Sequence, residues 1–450
     1  MDRHLDFDHA TNSVNRRLFL QTLTGSVLAA TYSSPLRAFS IEPQTIDPGV
    51  AYKLRPEEEA FLDQLERRGC SFFWEHGSAI SGQVLDRAHA AGPETRRLAS
   101  IAATGFGLTA LCIADWRHYL PHNEILKRVR TTMRFHWEKL PHNHGFFYHF
   151  SDIDTGVPAN RTELSPIDTS LLLCGILTCR AYFKDAEIHD LANKIYERVD
   201  WPWMLNGGKT FAMAWRRDQG FETHRWDTYS EEMMMYLLAI GSPTHPIDPN
   251  CWDAFARPQV DYEGLHYISN AAPLFTHQYS QAWYDFRHKR DAYADYFANS
   301  VIATLAHKRF CLSMPNYYSE DYWGITASDW IGRDGAGHGY TAWGGPPARG
   351  PIDGTVVPAA AAGSLPFLPK DCLHVLMAMK AKYADKAWSR YGFVDAFNPR
   401  LPWYDTDVLG IDQGISVIMA ENLRSGKVWS IFMQNPEAQA AMQRCGFIAV

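Results

Sequence analysis

Two kinds of apolar pattern alternate along the chain. Residues 100–114 (SIAATGFGLTALCIA) are apolar almost all round, whereas 123–140 place Ile125, Leu126, Val129 and Met133 on one stripe and Lys127, Arg128 and Arg130 elsewhere. The pair recurs: 166–180 carry Leu171, Leu172, Leu173, Ile176 and Leu177 with no polar face, and 186–199 space Ile188, Leu191, Ala192, Ile195, Tyr196 and Val199 at i, i+3, i+4, i+7. A helix that is apolar on every side must be packed on every side, while a striped helix is packed on one. Their alternation predicts an all-α protein in which inner helices touch neighbours all round and outer helices touch only the inner ring, an α/α toroid. Further helices are predicted over 233–240, 278–290, 293–310, 370–383, 412–423 and 436–444. Strand-like alternation is sparse, and the Gly-, Pro- and Trp-rich segments 206–226 and 313–368 read as rim loops.

Carboxylates collect where such loops meet the apolar helices. In RWDTYSEEMMMYLLAIGSPTHP (225–246), Asp227, Glu231 and Glu232 stand directly before a wholly apolar run. Thr228-Tyr229-Ser230-Glu231 also reads as T-x-x-E, so a capping box is a second reading of Glu231. Upstream, Asp152, Asp154 and Glu163 precede Ser165-Pro166-Ile167-Asp168, where Ser165 suits an N-cap, Pro166 the first helical position and Asp168 the third. A carboxylate at that position is lowered in pKa by the helix dipole, whereas a general acid needs a raised pKa from burial or a neighbouring carboxylate. Glu231, beside Glu232, Met233 and Met234, fits the raised case better than Asp168. His142, His144 and His149 lack a matching carboxylate or cysteine ligand spacing, so no catalytic metal or other cofactor is expected.

Composition narrows the partners. Net charge is −7, and no basic block follows the N-terminal segment, which argues against nucleic acid or anionic lipid. The 15 tryptophans and 21 tyrosines suit a cleft that stacks flat rings on pyranose faces while bonding hydroxyls. Eight dispersed cysteines without a C-x-x-C pair are expected to be mostly free, with Cys174 and Cys179 acting as small buried hydrophobes. Asn15-Arg16-Arg17-Leu18-Phe19-Leu20 resembles a twin-arginine export signal with an apolar centre over 18–30 and a cleavage site near Ala38, which predicts a periplasmic or secreted protein. That centre falls far short of the roughly 20 residues of a membrane span. The organisation expected is a signal over 1–38, an extension over 39–53 and a single large domain over 54–450, acting as a monomer.

Several longer stretches carry a family resemblance: SIAATGFGLTALCIADW (100–116), GFFYHFSDIDTG (145–156), ELSPIDTSLLLCGILT (163–178), RVDWPWM (198–204), the 225–246 stretch, PLFTHQYSQAWYDFR (273–287), AAAGSLPF (360–367), YGFVDAFNP (391–399) and WYDTDVLGIDQG (403–414). Together they resemble the glycoamylase-like domain of glycoside hydrolase family 144, the bacterial β-1,2-glucanases, and are also similar to the transglycosylating domain of cyclic β-1,2-glucan synthases. The resemblance implies an (α/α)6 barrel with a rim cleft, and hydrolysis of β-1,2-linked glucose polymers to sophorose or short sophoro-oligosaccharides by inversion, with the acid at Glu231. Tyr229-Ser230-Glu231 stands where the family has Tyr-Asn-Glu, and Ile352-Asp353-Gly354 where it has Asp-Asp-Gly, a change that bears on subsites rather than on the reaction.

Inversion needs a second carboxylate, about 6.5 to 9.5 Å from the acid, to activate water. Asp154, Glu163 and Asp168 are the candidates in that order, and Asp405, Asp407 and Asp412 form a further cluster that suits a base or sugar contacts. Arg225, Trp226, His277, Gln278, Trp343 and Trp403 complete the expected sugar contacts. A noncatalytic β-glucan-binding protein and a transglycosylase or phosphorylase acting on β-1,2-glucan are the alternative functions.

Overall fold

The computed structural model describes residues 52–450 apart from 271–272, 333–334, 336 and 351, so the expected export signal lies outside the described residues. Helices dominate. In chain order they are α1 (Pro56–Glu75), α2 (Ile101–Trp116), α3 (His122–Glu138), α4 (Pro166–Tyr182), α5 (Ala186–Glu197), α6 (Trp201–Leu205) and α7 (Met233–Gly241). The second half adds α8 (Tyr279–Trp283), α9 (Tyr296–Leu312), α10 (Pro358–Ala362), α11 (Pro369–Ala387), α12 (Gly410–Ser425), α13 (Lys427–Phe432) and α14 (Pro436–Arg444).

The helices predicted to be apolar all round are the inner ones. α2, α4 and α7 are buried along almost their whole length, as are the short α8 and α10 and most of α12. α2 and α4 cross backbone to backbone, since a Cβ on Gly175 would stand 2.1 Å from the carbonyl oxygen of Gly105. α4 packs on α7, α7 on α8, α10 on α12 and α12 on α2. Gln278, just before α8, closes the ring by donating from Nε2 to the Ala360 carbonyl of α10 at 2.9 Å and to Ser364 Oγ at 2.8 Å. Around this ring lie α1, α3, α5, α9 and α11, of which α3 and α5 are the striped helices expected and α9 is buried over most of its surface. The outer place against α7 is taken by α14, from the far end of the chain. The architecture is an (α/α)6 barrel, and among the described residues no helix is long and apolar enough to cross a membrane.

The structure corrects several boundaries. The helix expected over 278–290 stops at Trp283, because Tyr284 is extended and Asp285 turns the chain by accepting from the Arg287 amide at 3.1 Å and Nε at 2.9 Å. The helix expected from 293 starts at Tyr296, where the Asp295 side chain caps the Ala298 amide. Helices α1, α6, α10 and α13 were not expected. Small antiparallel sheets knit the loops that feed the inner helices: 84–85, 98–100 and 150–152 form one, with Ser100 leading straight into α2, and 87–89 pair with 407–409, which lead into α12. The N-terminal ends of the inner helices therefore open onto one shared rim.

Candidate active site

Glu231 does not form the capping box. α7 begins at Met233 with Glu232 as its N-cap and no side-chain cap bond. Thr228 is bridged to Ala256 instead, its hydroxyl donates to Asp227 Oδ1 at 3.2 Å, and the Tyr229 amide donates to the Ala256 carbonyl at 2.7 Å. This pairing draws 228–230 off the helix axis and leaves Glu231 in a turn just ahead of α7. Ser280 of α8 fixes that turn, donating from Oγ to the Glu231 carbonyl at 2.7 Å and accepting from the Met234 amide at 3.0 Å. Glu231 and Glu232 are 1% and 0% exposed. Burial, reinforced by the Glu231 carboxyl and only partly offset by nearby backbone amides, pushes Glu232 up to about 8. A neutral carboxylic acid is therefore maintained next to Glu231 at neutral pH.

The second cluster sits at the start of α4. Ser165 caps the helix by accepting from the Asp168 amide at 3.1 Å, as the sequence predicts, and its hydroxyl donates back to Asp168 Oδ2. His149 Nδ1 lies 3.2 Å from Glu163 Oε1 and 3.5 Å from Asp168 Oδ2, and Arg216 Nη1 is 3.4 Å from Glu163 Oε2. Buried Glu163 and Asp168 and half-buried His149 and Arg216 thus form one constellation at an inner-helix N-terminus. Asp154 stands apart on the hairpin, where it accepts from Ser78 Oγ at 2.6 Å and pairs with Arg97 at 3.1 Å. Its neighbour Asp152 is held down to about 2: burial opposes ionisation, but the Arg97 guanidinium and the Thr155 donors outweigh it. The three histidines diverge. His144 pairs with Asp200 and stacks on Trp203, His142 packs edge-on against Phe147, and only His149 joins the acids.

Of the expected sugar contacts, several are bound into the wall. Arg225 donates to Thr210 Oγ1 at 2.9 Å and to the Leu205 carbonyl at 2.5 Å, so it braces the hairpin before α7. His277 is buried with Nδ1 3.1 Å from the Tyr229 hydroxyl, and burial holds it neutral, down to about 3. Gln278 closes the ring as described, and Trp343 is fully buried with Nε1 donating to Ser328 Oγ at 3.2 Å. Trp403 and Asp405 are partly exposed on the rim, whereas Asp407 pairs with Arg96 at 2.7 Å. Beside the Glu231 turn a cleft of about 500 Å³ is lined by His224, Arg225, Trp226, Asp227, Ser230 and Asn270, among others.

Sequence reasoning missed Arg216, Ser280, Asp329 and Asp395. Asp329 and Asp395 join Asp405 in a third acidic group at the start of α12. Burial, with Asp329 adding to it, pushes Asp405 up to about 7, and burial with the adjacent Asp412 carboxyl pushes Asp395 well above the usual range. No local spacing marks these residues, because each comes from a different loop.

Inner helices that present buried carboxyl groups at one end, beneath a rim rich in Trp and Tyr, make up the working end of this (α/α)6 toroid. Residues 223–436 match the glycoamylase family model, described as "Putative glucoamylase". It is 27% identical, over 86% of its own length, to the exo β-1,2-glucooligosaccharide sophorohydrolase (non-reducing end) of Parabacteroides distasonis, and spans 58% of the length of that relative. An endo-β-1,2-glucanase from Chitinophaga pinensis, solved with sophorotriose and glucose, superposes with a TM-score of 0.78 at 27% identity, covering 88% of this chain and 99% of that one. A β-1,2-glucanase from Parabacteroides distasonis superposes with a TM-score of 0.77 at 25% identity, covering 88% of this chain and 60% of that one.

Proposed function

We propose that the protein is a glycoside hydrolase that cleaves β-1,2-linked glucan to sophorose or short sophoro-oligosaccharides. The observation that carries this reading is the agreement in fold, over almost the whole of both chains, with an endo-β-1,2-glucanase solved with sophorotriose. The geometry supports Glu231 as general acid, because it is buried and sits in the turn ahead of α7, outside any helix cap. The base is assigned to the Glu163 and Asp168 pair rather than to Asp154, whose carboxylate is engaged by Ser78 and Arg97. Opposed carboxyls of this kind invert the anomeric centre when about 6.5 to 9.5 Å apart. Export by the twin-arginine route to the periplasm or beyond belongs to the same proposal, since a polymeric glucan would be met there.

Incubating the purified protein with linear β-1,2-glucan and resolving the products by chromatography tests this. Sophorose or short oligosaccharides, released first as the α-anomer, are expected. No product would indicate a glucan-binding protein, a phosphorylated sugar a phosphorylase, and rings or longer chains a transglycosylase.

A further inference from the structure

His149 is placed by its backbone before its ring makes any contact. Its carbonyl accepts from the Ile101 amide at the start of α2 at 3.2 Å, and its amide donates to the Glu163 carbonyl at 2.9 Å, so residues 147–149 run beside 163–165. The 163–165 segment is bridged in turn to the 215–221 hairpin, through Leu164 and Trp215. The imidazole lies nearly flat on Phe150, with centroids 3.7 Å and planes 20° apart. Held at both levels, Nδ1 faces two carboxylates, Glu163 Oε1 at 3.2 Å and Asp168 Oδ2 at 3.5 Å.

That geometry fixes the tautomer. A bare Nδ1 would aim its lone pair at two carboxylate oxygens, whereas Nδ1–H donates to them, so the neutral ring carries its hydrogen on Nδ1. One N–H does not serve two acceptors equally. At these distances the hydrogen belongs chiefly to Glu163 and stands at the limit of reach for Asp168. The charged groups around the ring are Glu163 from the segment before α4, Asp168 from α4 itself and, beyond Glu163, Arg216 from the hairpin. Arg216 Nη1 lies 3.4 Å from Glu163 Oε2, and its Nε lies 3.1 Å from Glu222.

We propose that His149 is a positioning residue for the base, holding Glu163 and Asp168 side by side through the single hydrogen on Nδ1. This rests on the assignment of the base to that pair. When one carboxylate takes a proton from the attacking water it turns neutral, and the Nδ1 hydrogen is left to the other, which stays charged. The water oxygen bonds to the anomeric carbon as the glycosidic bond breaks, and the leaving oxygen takes its proton from Glu231. His149 neither gives nor takes a proton in this step. It keeps two mutually repelling carboxylates in register with the water.

Two substitutions separate the donor from the ring. The amide nitrogen of Asn is bonded to Cγ as Nδ1 is, so His149→Asn keeps a donor and loses the ring, whereas His149→Phe keeps the stack on Phe150 and loses the donor. On linear β-1,2-glucan, His149→Phe is expected to lower kcat by about 10² with KM changed less than about threefold. The acid limb of its kcat/KM profile should move to higher pH, because the ionised base loses a donor that favours it. His149→Asn is expected to restore kcat to within about tenfold of the wild type. A residue that only packs gives the opposite order, with Phe the better substitute and the limb unmoved, and that result would overturn the proposal. Glu163→Gln and Asp168→Asn are assayed beside these variants. If neither lowers turnover, the base lies elsewhere and the proposal falls with that assignment; if either abolishes turnover while His149→Phe retains it, the assignment stands and the proposal alone fails. The wild-type ring is read without substrate by its ¹⁵N shifts, identified by their absence in His149→Asn, so the test stands even if His149→Phe does not fold. Hydrogen on Nδ1 of the neutral ring is expected, and a bare Nδ1 would overturn the proposal as well.

Discussion

Glu231 and Glu232 are adjacent and equally buried, yet substituting each has a different consequence. Because Thr228 turns away to Ala256, Glu231 contributes no capping bond to α7, so in the proposed role Glu231→Gln removes the group that protonates the leaving oxygen and keeps the start of the helix. Turnover on β-1,2-glucan is expected to fall by roughly 10² to 10⁴ with Tm nearly unchanged. Near wild-type turnover would move the search to Glu232, Asp227 and the acids of 152–168. Glu232 acts on stability instead. Its carboxyl is pushed up to about 8 in the folded state against an ordinary value of 4.5, so between those values the folded state binds the extra proton and stability falls as pH rises. Glu232→Gln cannot ionise. Melting curves from pH 5 to about 9 should therefore show a shallower alkaline decline in the variant than in the wild type; parallel curves would mean that Glu232 is already ionised in the fold.

At the scale of elements, the inner ring was legible because all-round apolarity has one physical meaning, complete burial, and α2, α4 and α7 appear where that pattern lies. α1 was missed although Phe61, Leu62, Leu65, Cys70 and Phe73 share its buried face, because Glu66 interrupts that face. Glu66 is fully buried and is tolerated there by the Arg424 guanidinium from α12, a long-range partner that no local pattern announces. The capping box failed for a similar reason: T-x-x-E was present, but the bridge from Thr228 to Ala256 won over the local bond. The acids of the site were legible as candidates at loop-to-helix junctions, whereas Arg216 and Ser280 join them only through tertiary contact. The crossing of α2 and α4 allows a sharp test. Gly175→Ala would drive a methyl group against the Gly105 backbone, which cannot rotate aside, so a loss of about 1 to 3 kcal/mol and a clearly lowered Tm are expected. An unchanged Tm would mean that the two helices do not cross so closely.

For the whole molecule, compartment and redox state are linked. The Arg16-Arg17 pair ahead of an apolar centre leads to the expectation that replacing both with Lys leaves precursor in the cytoplasm; unchanged extracytoplasmic activity in the double variant would refute export by this route. An exported protein meets oxidising conditions, yet all eight cysteines are free, seven of them buried. The pair that decides the matter is Cys112 of α2 and Cys179 of α4, whose sulfurs lie 3.6 Å apart between two inner helices with no exposed surface on either residue. Burial raises the Cys112 thiol well above its ordinary value, which suppresses the thiolate needed to start disulfide exchange. The inner ring is therefore expected to keep its thiols after export. Tm should change little under reductant, and the intact mass of protein recovered from outside the cytoplasm should equal that of the fully reduced chain. A mass lower by two hydrogens, together with a Tm that falls by more than about 10 °C on reduction, would show that this pair has closed and that the barrel is cross-linked.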